Sequence, residues 1–258
     1  MRMVVYAAQI ESMDRGIGRI LETLRANSIE DNTLVMFLSD NGGCSEFLNE
    51  DGDDNKWPGV YRKTARPGET CRVGNIEGLQ PGPATTFMSY GLPWANASNS
   101  PFRLYKHWVH EGGISSPCVI RWPAGISAGR QLVHNPCHII DIMATCVESS
   151  GAKYPSTFNA VDITPLEGES FLPLLQGKNM NRTKPLFWEH EGNCAVRDGM
   201  WKLVKKYASD WELYNMEEDR TELKDLSHGN QTVRNKLISF YQDWAKRCGV
   251  IDWPVRGK

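Results

Sequence analysis

The stretch TLVMFLSDNGGCSEF, residues 33 to 47, decides how this chain is organised. Six residues, nearly all apolar, lead to a serine, and the pair Asp40-Asn41 and two glycines follow. A short apolar segment between turn residues predicts a strand over residues 33–38 that is covered on both faces of a sheet. The polar side chains of Asp40 and Asn41 stand directly after this predicted buried strand, so their position suggests a chemical function.

Helical and strand patterns surround this segment. Apolar residues recur at steps of three and four over residues 3–26, which predicts an amphipathic helix. A second buried strand is predicted over residues 116–123, and another helix over 138–149. A helix followed by a buried strand favours an α/β layer with parallel strands.

The pattern changes after about residue 180. Four short β-like segments and a helix over residues 231–247 predict a small antiparallel sheet with one helix packed on it. We therefore divide the chain into an α/β part, residues 1–179, and a small α+β subdomain, residues 180–258. Residues 42–102 carry many glycines and prolines without periodicity, which is typical of a long functional loop.

Composition excludes several classes of protein. The 258 residues carry a formal net charge of -2, so no basic excess favours binding to nucleic acid or to an anionic membrane. No apolar segment is long enough to span a membrane, and the N-terminal MRMVVYAAQIE does not resemble a signal peptide. None of the seven cysteines forms a C-x-x-C pair, which argues against a zinc knuckle.

The pair Asp40-Asn41 is the first candidate site. Ligands of open α/β sheets bind at the carboxyl ends of strands, and adjacent carboxylate and amide oxygens suit a hard divalent cation such as calcium or magnesium. The two glycines that follow allow a sharp turn or the close approach of a ligand. A plain turn is an equally good interpretation of the spacing, because Asp and Asn also favour turns.

The second candidate site lies in WANASNSPFRLYKHWVHEGGISSPCVIRWPAG, residues 94 to 125. Lys106 precedes a Gly-Gly turn and a strand, and a lysine near a cation can hold an anionic substrate group. His110 and Glu111 follow closely and could face the same site, although Glu111 is better explained as fixing the turn. The spacing of His107 and His110 fits no standard zinc pattern, and we interpret His107 as a surface or packing residue.

Three segments together resemble a known family: YAAQIESMDRGIGRILETL, NTLVMFLSDNGG and WANASNSPFRLYKHWVHEGGISSP. In order and spacing they look like the C-terminal half of the catalytic domain of a bacterial arylsulfatase-like sulfatase, in the alkaline phosphatase superfamily. The resemblance implies a partial alkaline-phosphatase-like central sheet flanked by helices. It also implies a small C-terminal α+β subdomain.

The resemblance assigns roles to the candidate residues. It implies that Asp40 and Asn41 bind a calcium ion and that Lys106 binds the sulfate of the substrate. His110 is added as a further substrate-binding candidate from its position beside Lys106. Metal and lysine would then stabilise charge on the sulfuryl oxygens as the S–O bond breaks. The expected substrate is a sulfate ester, either an aryl sulfate or a sulfated carbohydrate.

One expected feature has no counterpart in this sequence. The family's nucleophile is a formylglycine made from cysteine or serine in a C-x-P-S-R or related motif, and none of the seven cysteines lies in such a context. We therefore expect a fragment that is inactive by itself. The alternatives are a non-catalytic sulfatase-like binding protein and a phosphodiesterase or phosphonate hydrolase of the same superfamily. Relatives are often periplasmic or secreted, and the sequence leaves the location open.

Overall fold

The computed structural model describes residues 1–46, 48, 68–69, 71–127 and 129–255. Residues 49–67 of the predicted loop therefore lie outside the described residues. The described chain forms two compact units: Met1–Thr23, Asn41–Ser116 and Asp219–Lys224 make up unit 1, and the other segments make up unit 2. Each unit contains residues from before and after position 179, so this division of the chain differs from the predicted domains and does not test them. The predicted boundary at residue 179 stays a prediction.

The described elements comprise six helices and ten strands. The helices are α1 (Arg2–Ala26), α2 (Leu92–Asn99), α3 (Glu111–Ile114), α4 (Ile140–Ser150), α5 (Leu172–Leu175) and α6 (Gln231–Cys248). The strands are β1 (Val35–Leu38), β2 (Arg72–Val73), β3 (Thr86–Phe87), β4 (Cys118–Arg121), β5 (Thr157–Phe158), β6 (Val161–Asp162), β7 (Leu186–His190), β8 (Asn193–Asp198), β9 (Trp201–Lys205) and β10 (Glu212–Asn215). Within the described ranges, no helix is both long and apolar enough to cross a membrane.

Helix α1 and the strand before Asp40 confirm the predicted helix-then-strand order. The expectation of parallel strands is wrong for β1, which pairs antiparallel with β4 in the register Val35 to Arg121 and Leu38 to Cys118. Strand β1 is also not covered on both faces, since Phe37 is 46% exposed. A helix followed by an apolar strand fixes neither the partner of that strand nor its direction, because the partner lies far along the chain.

The predicted C-terminal sheet and helix are confirmed within unit 2. Strands β7 to β10 form an antiparallel sheet in sequential order, and α6 packs on it. Alternating inward residues of the sheet meet one face of the helix, which is the usual way such elements bury their apolar surfaces. The core cluster comprises Cys194, Val196, Leu203, Leu213, Leu237 and Tyr241, with Trp201 and Trp211 packed against it.

A buried carboxylate orders the irregular segments around α4 in unit 2. Asp141 has no exposed surface and accepts hydrogen bonds from the backbone of His138 at 2.7 Å and of Glu169 at 2.9 Å. The guanidinium of Arg182 forms an ion pair with the same carboxylate. Burial lowers the pKa of His138, which packs edge-on against Trp188. His138 is therefore part of the packing around α4.

The two Gly-Gly segments of unit 1 pack against each other through their backbones. The Gly42 amide donates to the Gly113 carbonyl at 2.9 Å. A Cβ atom on Gly42 would lie only 1.8 Å from the Gly112 oxygen, and one on Gly112 would lie 2.2 Å from the Arg103 oxygen. The glycines are therefore required by close backbone contact, because any side chain at these positions would occupy the space of a main-chain carbonyl.

This contact leads to a stability prediction. Gly42→Ala should lower the free energy of unfolding by about 1–3 kcal/mol or more, the usual cost of overpacking, because a backbone carbonyl cannot move aside as a side chain can. Gly18→Ala is the matched control: its Cβ meets no atom within 4 Å on helix α1. Alanine there should raise stability by roughly 0.5–1 kcal/mol. Urea unfolding of both variants measures the difference, and equal stability of the two would contradict the close contact.

Candidate functional site

The predicted site residues lie at different depths. Asp40 directly follows the β1 segment and is exposed, whereas Asn41 is half-buried. Lys106 is exposed on the connection between α2 and α3. His110 has no exposed surface and stands at the N-terminal cap position of α3. Asn41, Lys106 and His110 belong to unit 1, and Asp40 is assigned to unit 2. The predicted roles of all four residues stay predictions.

Hydrogen bonds tie the Lys106 backbone to the glycine turn after Asn41. The amide of Lys106 donates to the Gly43 carbonyl at 3.0 Å. The amide of Gly43 in turn donates to the side-chain oxygen of Asn99 at 2.8 Å, and the Asn99 side chain donates to the Leu104 carbonyl at 3.0 Å. Asn99 therefore joins the end of α2 to both segments, so that Asn41 and Lys106 are carried by one hydrogen-bonded backbone frame.

Tyr90 packs beside the same turn. A Cβ atom on Gly43 would lie 2.8 Å from the Tyr90 hydroxyl oxygen. Burial raises the pKa of Tyr90, against the lowering effect of a hydrogen bond with the Cys44 backbone. The hydroxyl is thus neutral at physiological pH, packs against Gly43 and forms a hydrogen bond with the backbone of Cys44.

The Lys106 ammonium lies 3.4 Å from an oxygen of Glu46. Both side chains are substantially exposed, at 44% for Lys106 and 60% for Glu46. An ion pair in such surroundings contributes about 0–1 kcal/mol because water and salt screen it. The ammonium can therefore leave Glu46 for another anion at little cost in free energy.

Two of these residues could not be identified from the sequence. Asn99 has the appearance of an ordinary turn former in sequence, but in the structure it lies on α2 and bonds two separate segments. Glu46 lies in a stretch without periodicity, so nothing in the sequence pairs it with Lys106. An Asn near a helix end indicates a local side-chain to backbone hydrogen bond, but this pattern does not predict a bond to Gly43, which is far away in the chain.

The donor set at residues 40 and 41 suits a hard cation. An exposed carboxylate and a half-buried amide offer oxygen atoms, and calcium and magnesium prefer oxygen ligands. Calcium takes six to eight oxygens, so these two side chains would supply part of a complete shell. All seven cysteines lie among the described residues and are free thiols. A calcium or magnesium site with oxygen ligands does not use them.

Comparisons with known proteins identify the family of this chain. The family profile described as Sulfatase matches residues 2–152. A second profile, described as N-sulphoglucosamine sulphohydrolase, C-terminal, matches residues 102–238. An uncharacterized sulfatase of Schizosaccharomyces pombe is 29% identical over 260 residues, which covers 98% of this chain and 45% of that protein. An arylsulfatase of Klebsiella aerogenes is 29% identical over 189 residues, covering 71% of this chain and 37% of that protein.

A similar fold occurs among solved structures. The crystal structure of Ps i-CgsB in complex with k-i-k-neocarrahexaose has a TM-score of 0.64 and 24% identity, and it covers 93% of this chain and 42% of that one. This likeness confirms the predicted alkaline-phosphatase-like α/β class with its small α+β part. The chain spans less than half the length of these relatives. Two profiles that each match more than half of its residues establish that the chain belongs to the sulfatase family.

Proposed function

We propose that this chain supplies the cation-binding and sulfate-binding part of a sulfuric ester hydrolase. In this proposal Asp40 and Asn41 hold a divalent cation, calcium, and Lys106 holds the sulfuryl group of the substrate. The observation that carries the proposal is the backbone frame of unit 1. It ties Lys106 to Gly43 by a 3.0 Å hydrogen bond, two residues after Asn41. Family membership supports the same assignment.

The proposed chemistry is charge stabilisation. The sulfuryl oxygens of a sulfate ester are negatively charged, and negative charge shifts onto the departing oxygen as the S–O bond breaks. An ammonium beside these oxygens stabilises the charge as it redistributes in the transition state. Lys106 would exchange the Glu46 carboxylate for the sulfuryl oxygens, because its present ion pair is exposed and weak. A bound cation would supply Lewis-acid polarisation of the same oxygens. The nucleophilic step is assigned to none of these residues.

His110 is a less direct member of the proposed site. Its side chain has no exposed surface, so a contact with substrate requires the segment around α3 to open. Lys106 is therefore the more informative position for a test.

The proposed substrate class includes both aryl sulfates and sulfated carbohydrates. The Klebsiella relative is named an arylsulfatase, and the similar crystal structure was solved with an oligosaccharide. Both kinds of sulfate ester should therefore be assayed, with matching phosphate esters alongside. Faster turnover of the phosphate esters would favour a phosphodiesterase or phosphonate hydrolase instead.

A first prediction concerns the cation. Calcium titrated into the 258-residue chain should bind weakly, because Asp40 and Asn41 supply only part of its ligand shell. Asp40→Ala should weaken that binding by at least about tenfold, which is the loss seen even when a residue that only supports a metal ligand is removed. Isothermal titration calorimetry measures the affinity. Asp162→Ala, an exposed acid on β6, is the matched control and should leave the affinity unchanged. Equal calcium affinity in both variants would remove Asp40 from the proposed site.

A second prediction concerns Lys106. Lys106→Ala should weaken the binding of inorganic sulfate, because it removes the ammonium, while Lys106→Arg should retain part of it because the charge is kept. Lys178→Ala, an exposed lysine of unit 2, serves as control. Titration with sodium sulfate at constant ionic strength, followed by amide NMR shifts, gives the affinities. The assignment fails if sulfate binds the alanine variant as tightly as the unaltered chain.

A third prediction concerns turnover by the chain itself. With no residue in a formylglycine context, the 258-residue chain should hydrolyse a chromogenic aryl sulfate at the background rate, since neither a cation nor a lysine replaces a covalent nucleophile. The assay is run with calcium, with an active arylsulfatase as positive control. Turnover that disappears in Asp40→Ala would contradict this expectation and would reveal another nucleophile in the sequence.

A further inference from the structure

The segment Asp219–Lys224, DRTELK, follows β10 in the chain but belongs to unit 1. Asp219 closes it into a compact turn: one carboxylate oxygen accepts from the amides of Leu223 and Lys224, both at 2.8 Å. The other oxygen accepts from the Thr221 hydroxyl at 2.8 Å. Burial alone would raise the pKa of Asp219, but these hydrogen bonds lower it below its usual value. The turn is therefore held by an ionised carboxylate at physiological pH.

Glu222 is the residue that this turn presents to the rest of unit 1. Its side chain is fully buried, and its backbone adopts a left-handed conformation with φ of 57°. A side-chain oxygen of Glu222 accepts from the amide of Glu111, the first residue of α3, at 2.8 Å. Its carbonyl accepts from the guanidinium of Arg103 at 2.7 Å. Glu222 thus contacts the chain on both sides of Lys106.

The segment that Glu222 contacts is named here the substrate loop, residues 102–115. Its two ends are joined directly, since the Gly112 amide donates to the Arg103 carbonyl at 3.0 Å. Arg220, from the same turn as Glu222, lies 3.6 Å from a carboxylate oxygen of Glu111 and 4.8 Å from the centre of the Phe102 ring. Arg220 also donates to the Ser115 hydroxyl at 3.3 Å. The turn therefore contacts the loop at its start, at α3 and at its end.

Two unfavourable free-energy terms at Glu222 indicate that the residue does more than fill space. A buried carboxylate costs several kcal/mol unless hydrogen bonds and charges compensate it. A residue other than glycine in the left-handed region costs about 1–3 kcal/mol more. Both costs fall on the one residue that accepts the first amide of α3. The Glu222 side chain supplies the acceptor that the first amide of a helix lacks within the helix itself.

We propose that Glu222 is a positioning residue that fixes the substrate loop, and with it Lys106, for binding of the sulfuryl group. This inference rests on the proposed function of Lys106. Glu222 itself is not proposed to contact the substrate. It acts by holding the amide of Glu111 and the side chain of Arg103, which brace the loop on either side of the lysine.

Hydrogen–deuterium exchange of the 258-residue chain tests the mechanical part of the proposal. Glu222→Leu removes the acceptor and should speed exchange of the amides of residues 111–113 by roughly ten- to hundred-fold, the range expected when a buried amide loses its acceptor. Glu222→Gln retains an acceptor oxygen and should stay close to the unaltered chain. Glu218→Leu, an exposed acid nearby, is the matched control. Amides of the β7–β10 sheet should not change in any variant.

Sulfate titration by amide NMR tests the functional part. Sulfate affinity at Lys106 should fall in Glu222→Leu and recover in Glu222→Gln, with no change in Glu218→Leu. If Glu222→Leu does not fold, Arg220→Met, a change at a partly exposed position, should show a smaller increase of exchange in the same amides and a smaller loss of affinity.

The outcomes separate the two proposals. Loop exchange and sulfate affinity that are unchanged in both Glu222→Leu and Arg220→Met overturn the positioning role. A glutamine variant that behaves like the leucine variant overturns it as well. No sulfate-dependent shift at Lys106 in the unaltered chain overturns the sulfate assignment itself, whatever the exchange data show for the loop.

Discussion

The backbone contact between the turn at Gly42-Gly43 and the start of α3 is the constraint on which the candidate site depends. The Gly112 carbonyl occupies the space where a side chain at position 42 would stand. Because main-chain atoms make this contact, the position of the Lys106 backbone follows from the path of the chain and not from a choice of rotamer. A backbone held in this way limits the reorganisation that binding requires, because only the Lys106 side chain then has to change its contact.

Buried carboxylates hold the irregular segments that regular hydrogen bonding cannot hold. Asp141 accepts two backbone amides and an arginine in unit 2, and Glu222 accepts the first amide of α3 in unit 1. In loops, backbone amides lack the partners that a helix or sheet would provide, and leaving them unpaired inside the protein costs about 1–3 kcal/mol each. A carboxylate satisfies several of them at once. Both units use the same physical solution for different segments.

The site combines a fixed frame with an exchangeable charge. The frame consists of buried or half-buried groups, among them Asn99 and Glu111, with hydrogen bonds of 2.8 to 3.0 Å. The ammonium of Lys106 is exposed and its contact with Glu46 is 3.4 Å long. Binding an anionic group that must later be released requires a rigid backbone support. It also requires an ammonium that can exchange one carboxylate or sulfate partner for another. This contrast supports the sulfuric ester hydrolase proposal in addition to the backbone frame on which it rests.

The sequence by itself determined the local elements and the candidate residues. Periodicity placed α1, α4 and the β7–β10 sheet with α6, because apolar residues recur in each of them with the period of its own backbone. The motifs around Asp40 and Lys106 led to the sulfatase family, which the comparisons establish. Only the tertiary structure decided the direction of β1 against β4, the reason for the glycines at 42 and 112, and the long-range hydrogen bonds of Asn99 and Glu222. These are contacts between segments far apart in the chain, and local residue patterns carry no information about which distant backbone will lie against them.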